Sequence, residues 1–151
     1  MPDSKATGFN RILVAIDNSQ YASAVMEMAA RITSFTHSDV VVLSVIPMPA
    51  FVSSEGEINS TSIAEEEKEI QSLHKNLIDR YFNQQGILIE SKILHGDPAD
   101  KICRYAEAVD ADMVIIGTRG RGVLKAALLG SVSENVVRNC KRSVLVVKKR
   151  Q

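Results

Sequence analysis

The fold of this chain is decided by residues 112–133, which read DMVIIGTRGRGVLKAALLGSVS. The apolar residues 113–116 predict a buried strand that stops at Gly117, and Gly130 precedes a run that predicts the start of a helix. Glycine lets the backbone turn sharply and approach a ligand closely, and the N–H groups at the start of a helix attract anions. The stretch therefore predicts a strand–loop–helix unit that binds the phosphate groups of a nucleotide.

The spacing of the glycines excludes two familiar phosphate-binding motifs. Gly117 is followed by two residues and Gly120, and then by nine residues and Gly130 with Ser131. A P-loop needs Gly-Lys-Ser or Gly-Lys-Thr at a fixed distance after its first glycine, and this loop has neither. A dinucleotide-binding fingerprint needs a third glycine at the position that Lys125 occupies. The two glycine anchors instead lie at the two ends of a loop that is long enough to wrap around a triphosphate.

A structural alternative accounts for part of this pattern. Ser131 and Glu134 have the spacing of a capping box, in which the serine hydroxyl accepts from the N–H of residue 134 and the glutamate reaches back to the N–H of residue 131. A capping box does not explain the glycines, nor the cations Arg119, Arg121 and Lys125 between the anchors. Phosphate binding is therefore the stronger expectation.

Composition indicates a single globular domain over residues 1–151. The chain is 45% apolar and 24% charged, which suits one domain with a substantial core. Lys plus Arg and Asp plus Glu number 18 each, so no net field attracts nucleic acid or an anionic membrane surface. Residues 1–10 are polar and are expected to form a flexible tail, and prolines interrupt the longest apolar stretch, residues 40–52. We expect a cytoplasmic protein with no nucleic-acid partner and no membrane insertion.

The cysteines and histidines show no spacing typical of a metal or redox site. Cys103 and Cys140 form neither a CxxC pair nor a disulfide framework, and we expect both to be small core residues on helices. His37, His74 and His95 lack metal-ligand spacing and are assigned no role.

Strands and helices alternate along the chain. Strands are predicted at residues 12–16, 40–46, 87–94, 112–116 and 143–147. Helices are predicted at residues 21–32, from residue 62 until Gly86 ends the helix, at 98–109 after the capping residue Asp97, and at 131–140. Residues 47–59 are expected to form either a mobile lid or a disordered loop. Right-handed crossovers would give a doubly wound α/β sheet of five parallel strands flanked by helices.

Four stretches carry a resemblance to a known family: GDPA at residues 96–99, ADMVIIGTRG at 111–120, LGSVS at 129–133 and VLVV at 144–147. They resemble the universal stress protein family in its ATP-binding branch, and the similarity extends from RILVAID at residues 11–17 to Lys148. The most specific shared element is the G-x2-G-x9-G-S/T pattern. One departure, Ser143 where the family often has proline, affects only the start of the last strand.

The resemblance implies a Rossmann-like sheet with strand order 3-2-1-4-5, in which the winding direction reverses between strands one and four. Ligands bind beyond the carboxyl ends of the strands at such a point, so Asp17 and the loop that starts at Gly117 should line one crevice. Asp17 would accept hydrogen bonds from the ribose or the adenine amine, or would instead cap the helix at Asn18 and Ser19.

The resemblance also implies the contacts of the nucleotide. Adenine would lie in a pocket formed by Ala15, Ile16, Val45, Ile116 and Gly117, since apolar walls with backbone polar groups suit a purine. The phosphates would bind the N–H groups of Gly120, Gly130, Ser131 and Val132 and the hydroxyls of Ser131 and Ser133. Arg119, Arg121 and Lys125 would either neutralise charge or remain solvated loop cations.

The functional hypothesis is a stress-response switch or sensor that binds ATP with Mg²⁺ and changes the surface shown to a protein partner. No carboxylate suited to hold a catalytic metal accompanies the glycine loop apart from Glu134. The alternatives are a slow ATP hydrolase and an interaction protein that binds another adenine nucleotide, such as a cyclic one. Strand five would be an apolar edge strand. The resemblance implies a homodimer through this edge, and the alternative is an edge covered by the chain's own helix.

Overall fold

The computed structural model describes residues 8–48, 60–82, 86–118 and 129–149. Strands and helices alternate along these ranges as β1 (Arg11–Ala15), α1 (Ala22–Thr36), β2 (Asp39–Ile46), α2 (Ser60–Tyr81), β3 (Ile89–His95), α3 (Pro98–Ala108), β4 (Met113–Gly117), α4 (Ser131–Asn139) and β5 (Ser143–Val147). All pairings are parallel, and the strand order is β3-β2-β1-β4-β5. The predicted fold class is confirmed.

Several predicted features lie outside the described residues. These are residues 1–7 of the predicted tail (1–10), residues 49–59 of the predicted lid or disordered loop (47–59), and the loop residues Arg119, Gly120, Arg121, Gly122 and Lys125. Within the described end of the predicted tail, the carbonyl of Phe9 accepts a hydrogen bond of 2.6 Å from the hydroxyl of Ser38, which lies just before β2.

The central strands are buried on both faces, which is why their sequences are continuously apolar. In β1, Ile12 and Val14 pack in the core cluster that contains residues of α1 and α2. Leu13 and Ala15 pack in the opposite cluster, which contains residues of α3 and α4. The sheet thus lies between α1 and α2 on one face and α3 and α4 on the other.

The winding direction reverses beside β1. Ala15 pairs with Leu43 of β2 on one side and with Ile116 of β4 on the other. The chain therefore leaves β1 and β4 in opposite directions, and a gap opens beyond their carboxyl ends.

A hydrogen-bond chain through the buried ring of His74 ties α2 to the sheet. His74 is 1% exposed, and its Nε2 and Nδ1 atoms lie 2.7 Å from the hydroxyl of Ser44 and 2.6 Å from that of Ser91. Because Ser44 donates its own proton to the carbonyl of Ile16 at 2.7 Å, the ring must donate from Nε2 and accept at Nδ1. Burial lowers the pKa of His74 to about 4, so the ring is neutral near pH 7. His74, which the sequence analysis left without a role, therefore joins α2 to β2 and β3.

The cysteines are paired, which corrects the expectation that no disulfide forms. Cys103 of α3 and Cys140, directly after α4, form a disulfide with Cα atoms 4.9 Å apart. Both residues also pack against the α3 and α4 side of the core, as expected of small apolar residues. The pairing depends on how α3 packs against α4, and a separation of 37 residues along the chain does not reveal that contact.

The turn before α3 has the predicted capping. The Asp97 side chain accepts a hydrogen bond of 2.9 Å from the N–H of Asp100, and Pro98 occupies the first turn. Gly96 precedes this cap with φ of 135°, a backbone conformation that favours glycine. The turn places the first residues of α3 at the carboxyl edge of the sheet.

Candidate functional site

A cleft of about 240 Å³ lies beyond the carboxyl ends of β1 and β4. Every predicted site residue that the structure describes lines it, namely Ala15, Ile16, Asp17, Val45, Ile116, Gly117, Gly130, Ser131, Val132 and Ser133. Arg119 and Gly120, the other two predicted site residues, lie outside the described residues. The fold thus brings residues from β1, β2, β4 and α4 to one place.

The helices add walls that the sequence analysis did not predict. They contribute Tyr21, Ala22 and Val25 from α1 and its N-cap, Glu66 and Ile70 from α2, and Pro98 and Ile102 from α3. Helical periodicity marks the apolar members of this set as core residues and gives no sign that they face a cavity. Only the docking of each helix on the sheet could identify them.

Hydrogen bonds hold the two ends of the glycine loop together. The carbonyl of Thr118, the residue after β4, accepts from the N–H of Gly130 at 2.7 Å and from the hydroxyl of Ser133 at 2.8 Å. Thr118 in turn donates its N–H to the carbonyl of Val147 in β5 at 3.0 Å. The start of α4 is therefore fixed beside the end of β4, at the mouth of the cleft.

The capping box proposed as the structural alternative is wrong. Gly130 is the N-cap, Ser131 is already the first helical residue, and the N–H of Glu134 donates to the carbonyl of Gly130 at 2.9 Å. The Glu134 carboxylate bonds Arg138 at 2.9 Å instead of reaching back. The helix begins one residue earlier than the box requires, because both glycine and serine are acceptable N-cap residues and the bonds of Gly130 and Ser133 to Thr118 favour Gly130.

The first turn of α4 lines the cleft and carries backbone donors that make no intrahelical bond. The N–H groups of Ser131, Val132 and Ser133 precede the first intrahelical bond, which Glu134 makes. Two of the expected phosphate donors, the N–H of Gly130 and the hydroxyl of Ser133, are already bonded to Thr118. The arrangement therefore favours anion binding by the N–H groups at the start of the helix.

Asp17 lies where β1 ends and combines the two roles that the sequence left open. Its Oδ1 atom accepts from the N–H of Ser19 at 2.9 Å, in the turn that leads into α1. The residue also lines the cleft. A carboxylate has about four acceptor positions, so the same side chain can accept hydrogen bonds from the turn and from a ligand hydroxyl.

The described parts of the chain contain neither a metal-binding cluster nor a membrane-spanning helix. No group of three or more His, Cys, Asp and Glu side chains there is arranged to hold a metal ion. None of the helices in those ranges is long and apolar enough to cross a membrane.

The chain is similar to known proteins over most of its length. The family model of the Universal stress protein family matches residues 8–148. Universal stress protein MJ0531 of Methanocaldococcus jannaschii is 30% identical over 141 residues, which cover 93% of this chain and 83% of that protein.

Solved structures agree with this similarity. The structure of MJ0577, from the same organism, matches with a TM-score of 0.75 at 29% identity and covers 95% of this chain and 98% of that one. The universal stress protein from Archaeoglobus fulgidus in complex with dAMP matches with a TM-score of 0.67 at 26% identity and covers 93% and 98%. The matched family region contains every strand and helix described above, from β1 to β5. The chain therefore belongs to the universal stress protein family.

Proposed function

We propose that this chain binds ATP together with Mg²⁺ in the cleft and acts as a nucleotide-dependent switch in a stress response. The observation that carries the proposal is the bonding of Thr118 to Gly130 and Ser133, which places the start of α4 at the switch point of the sheet. A helix start in that position favours phosphate binding. The relative from Archaeoglobus fulgidus that holds dAMP supports an adenine nucleotide as the ligand.

The two ends of the cleft suit the two ends of ATP. Ile16 and Ile116 are each 7% exposed and form an apolar floor, with Val45 beside them, on which a purine would pack. Asp17 would accept from the ribose hydroxyls. The phosphates would take the N–H groups of Ser131 and Val132, and the proposal adds the loop residues Arg119 and Gly120 to this end.

Mg²⁺ would be held chiefly by the phosphate oxygens and water. Mg²⁺ keeps several waters and needs only one or two protein carboxylates when phosphates supply the other ligands. This mode of binding does not need a cluster of three protein ligands, and the described residues contain no such cluster. In the bound state, the ion would supply charge neutralisation at the phosphates.

The residues around the cleft favour a switch over an efficient hydrolase. Rapid phosphoryl transfer needs a positioned base or water and a metal held by a carboxylate. Glu134 is not among the residues that line the cleft, and the carboxylates that do line it are Glu66 of α2 and Asp17, which accepts from the turn before α1. All four helices contribute to the cleft walls, so nucleotide occupancy would alter the helical surface presented to a protein partner.

The proposal includes a homodimer through β5 and a cytoplasmic location, where ATP is abundant. β5 lies at one end of the strand order, and Val144, Leu145 and Val146 are only partly buried. An apolar edge strand without charge or proline invites pairing with another strand. A second copy would pair its β5 with this one about a twofold axis.

A glycine-to-valine pair of variants tests the ligand site. Gly130 has φ of −70° and ψ of 162°, an extended conformation that valine adopts readily, so Gly130→Val adds bulk without backbone strain. It should block phosphate from the helix start. Losing two charge-assisted hydrogen bonds would weaken ATP binding roughly a hundredfold or more in calorimetry.

Gly8→Val is the matched control, because an added Cβ at Gly8 meets nothing within 4 Å. It should bind ATP like the unmodified protein. Undiminished ATP affinity in a folded Gly130→Val protein would show that the phosphates bind elsewhere.

A further inference from the structure

A surface groove between α3 and α4 leads to the disulfide. Its volume is about 440 Å³, and Cys103 lines it. The groove is flanked by the exposed ion pairs Arg104–Asp100 at 2.9 Å and Lys141–Glu107 at 3.6 Å. The Arg104 and Lys141 side chains are 77% and 82% exposed, and surface pairs of this kind are weak and open easily. A small reagent can therefore reach Cys103 from the solvent.

The disulfide also closes a covalent ring that contains the phosphate end of the cleft. Cys103 and Cys140 are 37 residues apart, and the chain between them includes β4, the contact of Thr118 with Gly130, and α4. Cleavage of the ring would remove a restraint on every segment within it, because a cross-link limits the conformations open to the loop that it closes.

Within this ring, α4 depends on its surroundings. It has nine residues, fewer than the ~12–15 that make an isolated helix even marginally stable in water. Its first turn lines the cleft, and its last residue is followed directly by Cys140. The disulfide thus anchors the C-terminal end of α4 to α3, while the N-terminal end of α4 lines the cleft.

We propose that Cys103–Cys140 is a reversible thiol-exchange site for a low-molecular-weight thiol such as glutathione, and that its reduction loosens the start of α4. The thiolate of the incoming thiol attacks Sγ of Cys103, a mixed disulfide forms there, and the protein S–S bond breaks to leave Cys140 as a thiolate. A second thiol attacks the adduct at its non-protein sulfur and releases Cys103 as a thiolate with the oxidised form of the reagent. Two thiols are oxidised and one protein disulfide is reduced.

Access from the groove favours this direction of attack. Cys103 is among the residues that line the groove and Cys140 is not, so an incoming thiol meets Sγ of Cys103 first and Cys140 becomes the leaving group. In a reducing compartment, a disulfide that opens by exchange would act as a redox sensor.

Hydrogen exchange on the unmodified protein in oxidised and reduced glutathione buffers tests this proposal. The informative amides are that of Gly130, which donates to the carbonyl of Thr118, and that of Glu134, which donates to the carbonyl of Gly130. On reduction, both should exchange on the order of tenfold faster. The amide of Ile16, which bonds the carbonyl of Leu43 outside the ring, is the internal reference and should not change.

Two further measurements accompany the exchange rates. Alkylation followed by mass spectrometry should find both cysteines reactive in the reduced protein and neither in the oxidised one. A Cys103→Ser/Cys140→Ser protein should show fast exchange at Gly130 and Glu134 in both buffers. In a Cys140→Ser protein, oxidised glutathione should form an adduct on Cys103.

The proposal is overturned if glutathione buffers never change the number of reactive thiols, or if the two redox states exchange equally fast at Gly130 and Glu134. Only its consequence for ATP rests on the proposed function, under which the oxidised protein should bind ATP more tightly than the reduced one. Redox-dependent exchange in a protein that binds no ATP would refute the proposed function and support the thiol-exchange site.

Discussion

Acidification should destabilise this fold through the buried ring of His74. Burial lowers the pKa of this imidazole from 6.5 to about 4 in the folded protein, whereas in the unfolded chain it keeps the ordinary value. Between these two values the unfolded state binds more protons, so its population grows as the pH falls. The contribution of the neutral ring is fully present above pH 6.5 and is progressively lost down to about pH 4.

The size of the effect follows from the two pKa values. Relative to pH 7.5, the free energy of unfolding should fall by about 2 kcal/mol at pH 5 and by about 3 kcal/mol at pH 4 from His74 alone. Solvent screens this effect little, because His74 is 1% exposed. Carboxylates add their own dependence near pH 4, so the difference between variants isolates the histidine.

Urea unfolding followed by circular dichroism at pH 7.5 and pH 5 measures this difference. His74→Gln keeps an amide donor for Ser44 and does not titrate, so its loss of stability between the two pH values should be about 2 kcal/mol smaller than that of the unmodified protein. His37→Asn is the matched control, because His37 is exposed at the end of α1 with φ of 55°, which asparagine tolerates. This variant should lose as much stability as the unmodified protein. An equal loss in His74→Gln would refute the reasoning.

Three further predictions concern the cleft and the dimer. Ser131→Glu, at the exposed first position of α4, should keep the fold because acidic residues suit a helix start. It should weaken ATP binding at least about tenfold by repelling the phosphates, whereas the uncharged Ser131→Gln should bind ATP far better. Equal calorimetric affinities of the two variants would count against a phosphate site there. Val146→Pro should shift the protein from dimer to monomer in light scattering by removing a backbone donor from β5, and an unmodified protein that is monomeric at high micromolar concentration would rule out the proposed dimer. ATP turnover by the pure protein should be well below the ~10 s⁻¹ typical of dedicated enzymes, and a fast rate that Gly130→Val abolishes would favour a hydrolase.

Much of the fold was predictable because its central strands are buried on both faces. Such strands are continuously apolar, so the predicted β1, β2 and β4 agree with the structure to within one residue at each end. The edge strand β5 is only partly buried, but its residues 144–147 are also continuously apolar, and it coincides with the predicted residues 143–147. β3 was harder to delimit, and it begins at Ile89, two residues later than predicted. It lies at the edge of the sheet, where Glu90, Ser91 and Lys92 are exposed and interrupt the apolar pattern.

The candidate site was predictable only where it is local in sequence. The glycine anchors and the end of β1 come from continuous stretches, so their residues could be named in advance. The Ser44–His74 contact and the disulfide join residues 30 and 37 positions apart, which no periodicity indicates. The N-cap of α4 was misassigned to Ser131 because Gly130 and Ser131 are both acceptable caps, and tertiary bonding to Thr118 decides between them.

The most direct test of the account is a titration of nucleotide-stripped protein with Mg²⁺-ATP, followed by the backbone amide resonances in NMR. We expect saturable binding of one ATP per chain, with the largest shifts at Gly117, Ser131 and Val132 and small shifts in the groove between α3 and α4. Binding that is absent at cellular ATP concentrations, or shifts that cluster away from the start of α4, would contradict the proposal that this cleft is an ATP site.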